Sequence, residues 1–177
     1  MDSNDIVPDV IDEAPKEIAE ITYADDVKVE LGGELTPTQV KDQPEVNWNA
    51  ESDALYTLLM IDPDAPSRKN PIFREINHWF VVNIPGNKVA DGQVVVEYRG
   101  SGPPKDTGLH RYIFLVFKQS EKIVTELFIP KTTREGRLNI KTRDYIDEFN
   151  LGNPIAGNYY QAQYDDYVPI LHRQIQK

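Results

Sequence analysis

Residues 100–117 read GSGPPKDTGLHRYIFLVF. The first half consists of turn formers. The second is an apolar and aromatic run of the kind that makes a buried strand. His110 stands at the junction. An imidazole placed where a Gly/Pro loop becomes core needs a reason, because an unpaired buried polar group costs free energy. Upstream, the apolar run ALYTLLMI (54–61) ends in DPDAPSR (62–68), which sets Asp62 and Asp64 at the end of a second strand. Polar groups are collecting at strand ends.

The same pattern extends outward in both directions. VKVELGGELT (27–36) alternates and then turns at Gly32 and Gly33. INHWFVVNIPGN (76–87) ends in a Pro-Gly-Asn turn, and GQVVVEYRGSG (92–102) and LHRYIFLVFKQ (109–119) follow. All are rich in β-branched and aromatic residues, and the 13 prolines are spread between the runs, where they interrupt no ladder. Helix signals are few. KTRDYIDEFNLGNP (141–154) predicts a short helix capped by Thr142 or Asp144, with Tyr145, Ile146 and Phe149 on one face and a stop at Gly152 and Pro154. YDDYVPILHRQIQK (164–177) reads as a terminal helix after Pro169, and a shorter one fits near PDVIDEA (8–14). These elements predict a mainly β chain: an antiparallel β-sandwich with a few peripheral helices, including a C-terminal helix, in one domain spanning 1–177.

Composition narrows the function. With a hydrophobic fraction of 40%, the 177 residues can bury a sizeable core. The absence of cysteine excludes disulfides, thiol catalysis and cysteine zinc sites, and fits a reducing compartment. The acidic start, MDSNDIVPDVIDEAPKEI, lacks the basic and apolar regions of a signal peptide, so a cytoplasmic protein is expected. A net charge of −10 argues against nucleic acid, which demands a basic stripe, and allows peripheral membrane contact at most. An anionic ligand would need a local pocket working against the field of the whole molecule.

Strand alternation places His110 on a face with Tyr112, Phe114 and Val116, and His78 on a face with Phe80 and Val82. Each ring therefore needs a buried partner. Asp62 and Asp64 point the same way if their turn stays extended, as Pro63 and Pro66 favour. Singly, each feature is an ordinary strand end or turn. HExxH and GxSxG are absent, so no metal, no cofactor and no catalysis are expected.

DPDAPSR, REINHWFVVNIPGN and GSGPPKDTGLHRYIFLVF, in this order and spacing, resemble the phosphatidylethanolamine-binding protein family, which includes the Raf kinase inhibitor proteins and the plant flowering-time regulators. VPDVIDEAPK near the start and YYQAQYDDYVPILHRQI near the end match as well. The resemblance implies a β-sandwich with a small anion pocket at one sheet end, taking the phosphate of phosphatidylethanolamine or another phosphorylated small molecule. It also implies a monomer that regulates signalling by protein contact, with Raf-type kinases or serine proteases as partners. The implied pocket comprises Asp62, Asp64, Pro66, His78, Gly100, Gly102, Pro103, His110 and Tyr112, with His172 beside the mouth. It further implies cis peptides at Ala65–Pro66 and Arg74–Glu75. The chain departs from the family at the rim, with Phe73, Ile76 and His172 where Tyr, Trp and Tyr are common. The acids would orient an imidazole, hold loop amides or accept from an ethanolamine ammonium. The alternative is a pure protein-interaction module with a vestigial pocket.

Overall fold

The computed structural model describes Met1 and residues 4–175. Nine strands form two sheets. They are β1 (Glu17–Ile18), β2 (Glu20–Tyr23), β3 (Val27–Lys28), β4 (Glu45–Asn47), β5 (Leu55–Asp62), β6 (Ile76–Pro85), β7 (Gln93–Val96), β8 (His110–Lys118) and β9 (Ala156–Ala162). The large sheet runs β1-β9-β8-β5-β6-β7 and the small one β3-β2-β4. Among the described residues there are three short α-helices, α1 (Ile6–Asp9), α2 (Thr142–Glu148) and α3 (Val168–Gln174), and two single 3-10 turns, Ala24–Asp26 and Val89–Asp91.

The large sheet is buried on both faces, which is why its central strands read as unbroken apolar runs. Along β8, Tyr112, Phe114 and Val116 enter one core, and Ile113, Leu115 and Phe117 enter the other. On β5, Leu58 and Met60 join the first core, Leu59 and Ile61 the second. The small sheet covers the first core with Ile21, Tyr23 and Val46. The second core is closed by helices and loops, through Ile6, Val10, Ile123, Ile129 and the partly buried Tyr145 and Phe149. Tyr145 stacks on Phe80 with ring centroids 4.9 Å apart.

The sequence-based picture therefore holds in its mainly β composition, and its sandwich only on one face. The large sheet is also mixed: β1 pairs in parallel with β9, while its other pairings are antiparallel. β1 and β9 lie far apart in the chain, so no hairpin dictates their direction. The capping expectation changes as well. Neither Thr142 nor Asp144 caps α2, whose N-cap position is Lys141. The Glu75 carboxylate instead accepts from the Thr142 backbone N–H (2.9 Å) and hydroxyl (2.6 Å), satisfying a free helix amide from outside the helix.

Candidate functional site

β5 ends where β6 and β8 begin, because both neighbours run antiparallel to it: Ile61 lies opposite Asn77 on one side and Ile113 on the other. β9 ends at the same place, with Ala162 opposite His110, and so delivers α3 there. This sheet end holds a cavity of about 330 Å³. Its lining includes Asp62, Pro66, His78, Gly100, Gly102, Pro103, His110, Tyr112 and His172, so nine of the ten sequence-selected residues meet around one space. Asp64 is not among them.

Asp62 and Asp64 part because the turn does not stay extended. The Asp64 N–H donates to Asp62 Oδ1 at 2.6 Å, folding the turn on itself. The Asp64 carboxylate then accepts three bonds from Arg111: from the backbone N–H and Nε at 2.9 Å and from a terminal nitrogen at 2.8 Å. Both side chains are buried. Asp9 bridges the outer side of this pair, bound by Arg111 at 2.7 Å and by both terminal nitrogens of Arg74 at 2.8 Å.

His110 faces the cavity side of the turn. Its Nδ1 lies 2.9 Å from Asp62 Oδ2 and its Nε2 2.9 Å from Thr107 Oγ1. The Thr107 hydroxyl donates its one proton to the Pro104 carbonyl at 2.7 Å, so it accepts from Nε2–H. The ring's Nδ1 faces the Asp62 carboxylate, so the two groups share one contact. Burial raises the Asp62 pKa, and the hydrogen bond to His110 opposes that rise. Asp62 thus fixes the ring and holds the Asp64 amide, two of the three roles foreseen for the acids.

His78 reaches the cavity by a different route from the one alternation suggests. Met60 pairs with Trp79, but Ile61 pairs with Asn77, so His78 is an extra residue in a β-bulge. Trp79 and Val81 enter the first core, Phe80 and Val82 the second. The bulge turns His78 away from Phe80 and Val82 and toward Tyr112, whose ring centroid lies 5.3 Å away at 82°. Tyr112 also stacks on His110, at 6.2 Å and 9°, and so stands between the two imidazoles. His78 Nδ1–H donates to the Arg99 carbonyl at 2.8 Å, and Nε2 has no protein partner among the described residues. Burial, then the nearby charge of Arg99, depress the His78 pKa to about 3, leaving a neutral ring with a free acceptor.

The loop and α3 fit closely. A Cβ on Gly100 would meet the Val40 carbonyl oxygen at 2.9 Å and the Lys41 backbone at 3.1 Å. A Cβ on Gly102 would meet Leu171 at 2.9 Å and His172 Nε2 at 3.1 Å. His172, exposed at the mouth, donates from Nε2 to the Gly102 carbonyl at 2.9 Å. Ala65–Pro66 and Arg74–Glu75 are both cis, as the resemblance implies.

Sequence reasoning missed two arginines. Arg99 and Arg134 both line the cavity. Arg99 is buried, and its pKa falls to about 10 through burial first and the charge of Arg134 second. Arg134 is exposed, with its guanidinium 5.7 Å from the Phe73 ring centroid. Neither forms a salt bridge among the described residues. Behind them, fully buried Arg137 donates to the carbonyls of Asn77, Glu97, Pro130 and Thr133. The adjacency of Arg99 to the loop glycines was a usable signal; nothing local marks Arg134. In a chain of net charge −10, Arg99 and Arg134 make this cavity a local concentration of cations, able to hold an anion by hydrogen bonds from guanidinium and, once its Nε2 is protonated, from His78.

Comparison with known proteins agrees with this fold. The chain is 40% identical over 176 residues to "Putative odorant-binding protein A5" of Drosophila melanogaster, covering 99% of this chain and 84% of that one. It matches the solution structure of CG7054 with a TM-score of 0.81 and 56% identity, over 98% of this chain and 99% of that one. It also matches a carboxypeptidase Y inhibitor, solved in complex with its cognate proteinase, with a TM-score of 0.76 and 25% identity over 93% of each chain. The phosphatidylethanolamine-binding protein family model matches residues 20–161, and the chain belongs to that family.

Proposed function

We propose that the chain is a non-catalytic binding protein that takes a phosphorylated small molecule in the cavity at the strand ends and acts on other proteins by contact, as a modulator of kinase signalling or an inhibitor of a protease. One observation carries this reading: two imidazoles and the buried Arg99 converge on one cavity with no carboxylate paired to the arginine. Uncompensated buried cations destabilise a fold unless something answers them, and a phosphate supplies both the charge and the acceptor oxygens. Family membership supports the ligand class. The likeness to a proteinase inhibitor supports action by contact. A cytoplasmic monomer is the setting we propose, with phosphatidylethanolamine as one source of the phosphate.

His78 gives the reading a proton signature. Its neutral Nε2 is an acceptor with no protein partner among the described residues. A phosphate dianion raises the pKa of the ring, which then donates; a monoanion brings its own proton to the same contact. Affinity gained this way is present at low pH and lost as pH rises through the bound-state value. Titrating the labelled protein with inorganic phosphate by NMR tests the site. Shifts confined to His78, His110, Arg99 and their neighbours are expected. Silence there would reduce the chain to a protein-interaction module with a vestigial pocket.

A further inference from the structure

One stretch of the chain is built as a strand edge whose outer side meets no other backbone among the described residues. We propose that residues 122–126 pair antiparallel, about a two-fold axis at Val124, with the same residues of a second copy of this chain. The inference goes beyond the functional reading, whose monomer is then the dilute form, and the strip shares no residue with the cavity lining.

Ile123 and Ile129 are buried in the second core and pin the stretch between them, yet Val124 is 89% exposed, Leu127 48% and Phe128 55%. Large apolar side chains held out to solvent on a pinned segment mark a contact surface. The backbone says of which kind. The Asn83 side chain accepts from the Ile123 N–H and donates to the Ile123 carbonyl, both at 2.8 Å, and the Gln93 side chain donates to the Thr125 carbonyl at 3.0 Å. Ile129 then joins β7: its N–H donates to the Val95 carbonyl at 2.8 Å, and its carbonyl accepts from the Glu97 N–H at 2.9 Å. Residues 123 and 125 thus turn their backbone toward β6 and β7. Along an extended chain, successive residues turn their N–H and C=O to opposite sides, so Lys122, Val124 and Glu126 present theirs outward. None of these outward groups has a hydrogen-bond partner among the described residues. The Leu127 N–H, bonded to Thr125 Oγ1 at 3.2 Å, turns back and ends the strip.

Charge selects the occupant. Lys122 and Glu126 are exposed and form no ion pair among the described residues. Edge charges ordinarily keep such a strip from pairing. Antiparallel pairing about Val124 instead sets Lys122 of one copy opposite Glu126 of the other, once on each side of a Val124–Val124 pair, and opposite charges across a ladder stabilise it. Each of the three outward residues exchanges backbone hydrogen bonds with the residue facing it. The apolar Leu127 and Phe128 then lie at both ends of the shared strip. Moving the axis to residue 122 or 126 sets Lys122 against Lys122 or Glu126 against Glu126, and parallel pairing in register does both. The strip therefore complements itself in one register.

Analytical ultracentrifugation of the intact chain at pH 7.5 tests the pairing. The strip is short, so a weak dimer is expected, half-formed at roughly 0.1 mM. Lys122→Glu and Glu126→Lys should each weaken it by about tenfold or more, because both cross-strand charge pairs become repulsive. Mixed in equal amounts, the two variants should pair with each other as tightly as the natural chain pairs with itself, since every charge again faces its opposite. Both positions are exposed, and recovery in the mixture shows that neither variant lost association by misfolding. Amide exchange at Lys122, Val124 and Glu126 should slow as the natural chain is concentrated. A natural chain that stays monomeric to about 1 mM overturns the proposal. So does association that neither reversal changes, or a mixture that associates no more tightly than the variants alone. A dimer in which those three amides exchange as in the monomer places the contact elsewhere and overturns it as well.

Discussion

The DPD turn has two sides, and they solve the problem of buried charge in opposite ways. On the Asp64 side, two carboxylates and two guanidiniums close on one another: Asp64 and Asp9 answer Arg111 and Arg74 through six hydrogen bonds of 2.7–2.9 Å. On the Asp62 side, the acid serves one imidazole and one amide, while His78 Nε2, Arg99 and Arg134 are left without an anionic partner among the described residues. The first network is complete and ties the N-terminal segment to β8. The second is incomplete and opens on a cavity. The two acids of one motif thus divide between a closed ion-pair network and the wall of a cavity, and the satisfaction of their partners tells which is which.

The largest test of this division is Asp64→Ala. It strands the Arg111 guanidinium in the interior with the half-buried Asp9 as its one anionic partner among the described residues, and should cost about 3–5 kcal/mol in urea unfolding. A loss below about 1 kcal/mol would erase the contrast between the two sides. Next comes His78. Its pKa of about 3 lies below the unfolded value of about 6.5. Stability from its neutral ring is therefore fully present above pH ~6.5 and lost as pH falls toward 3. The stability difference between the natural chain and His78→Gln should change by about 2–3 kcal/mol between pH 7 and pH 4, with the natural chain losing ground. Terms from Asp62 and Glu75, which burial shifts in the opposite sense, occur in both proteins and largely cancel. A pH-independent difference would show that the ring is not desolvated.

His110→Ala should weaken phosphate binding by about 1.5–3 kcal/mol in calorimetry while leaving a folded protein, because the Asp62 carboxylate that the ring meets at 2.9 Å would be left unpaired beside the anion. Equal affinity would move the anion away from the Asp62 side. The smallest effect belongs to Asp9→Asn, about 1 kcal/mol, because this carboxylate is partly exposed to solvent. The Arg74 hydrogen bonds, opposed by burial and helped by Arg111, lower the Asp9 pKa to about 2. Its stabilisation is present above pH ~3.8 and fades as pH falls through about 2. The variant should accordingly lose less stability than the natural chain over that range.

Much of this was legible in the residues, and the failures have local causes. The runs of β5, β6 and β8 announce themselves because burial on both faces leaves no polar alternation to interrupt them. β9 does not, because Gly157, Asn158 and Gln161 break its pattern. Each has a reason visible only in the fold. A Cβ at Gly157 would meet the Phe114 carbonyl at 3.0 Å, Asn158 bonds the Ala19 and Val29 carbonyls, and Gln161 reaches the Gly32 carbonyl. His110 obeys strand phase and His78 does not, because phase counting cannot see an inserted residue. Asp64 is grouped with the pocket by the resemblance and by an extended turn, and the Asp64 amide folding back on Asp62 Oδ1 is not visible in the residues. Arg134 lies 35 positions beyond Arg99, too far for any local pattern to join them.

The bulge in β6 has a consequence for how such a site can be gained or lost. Removing His78 alone would leave Asn77 and Trp79 adjacent, facing the second and first cores in regular alternation, with both ladders intact. The cavity would lose an imidazole, and the Arg99 backbone N–H would lose the His78 carbonyl that accepts from it at 2.9 Å. A single in-frame codon thus decides whether the cavity keeps that ring.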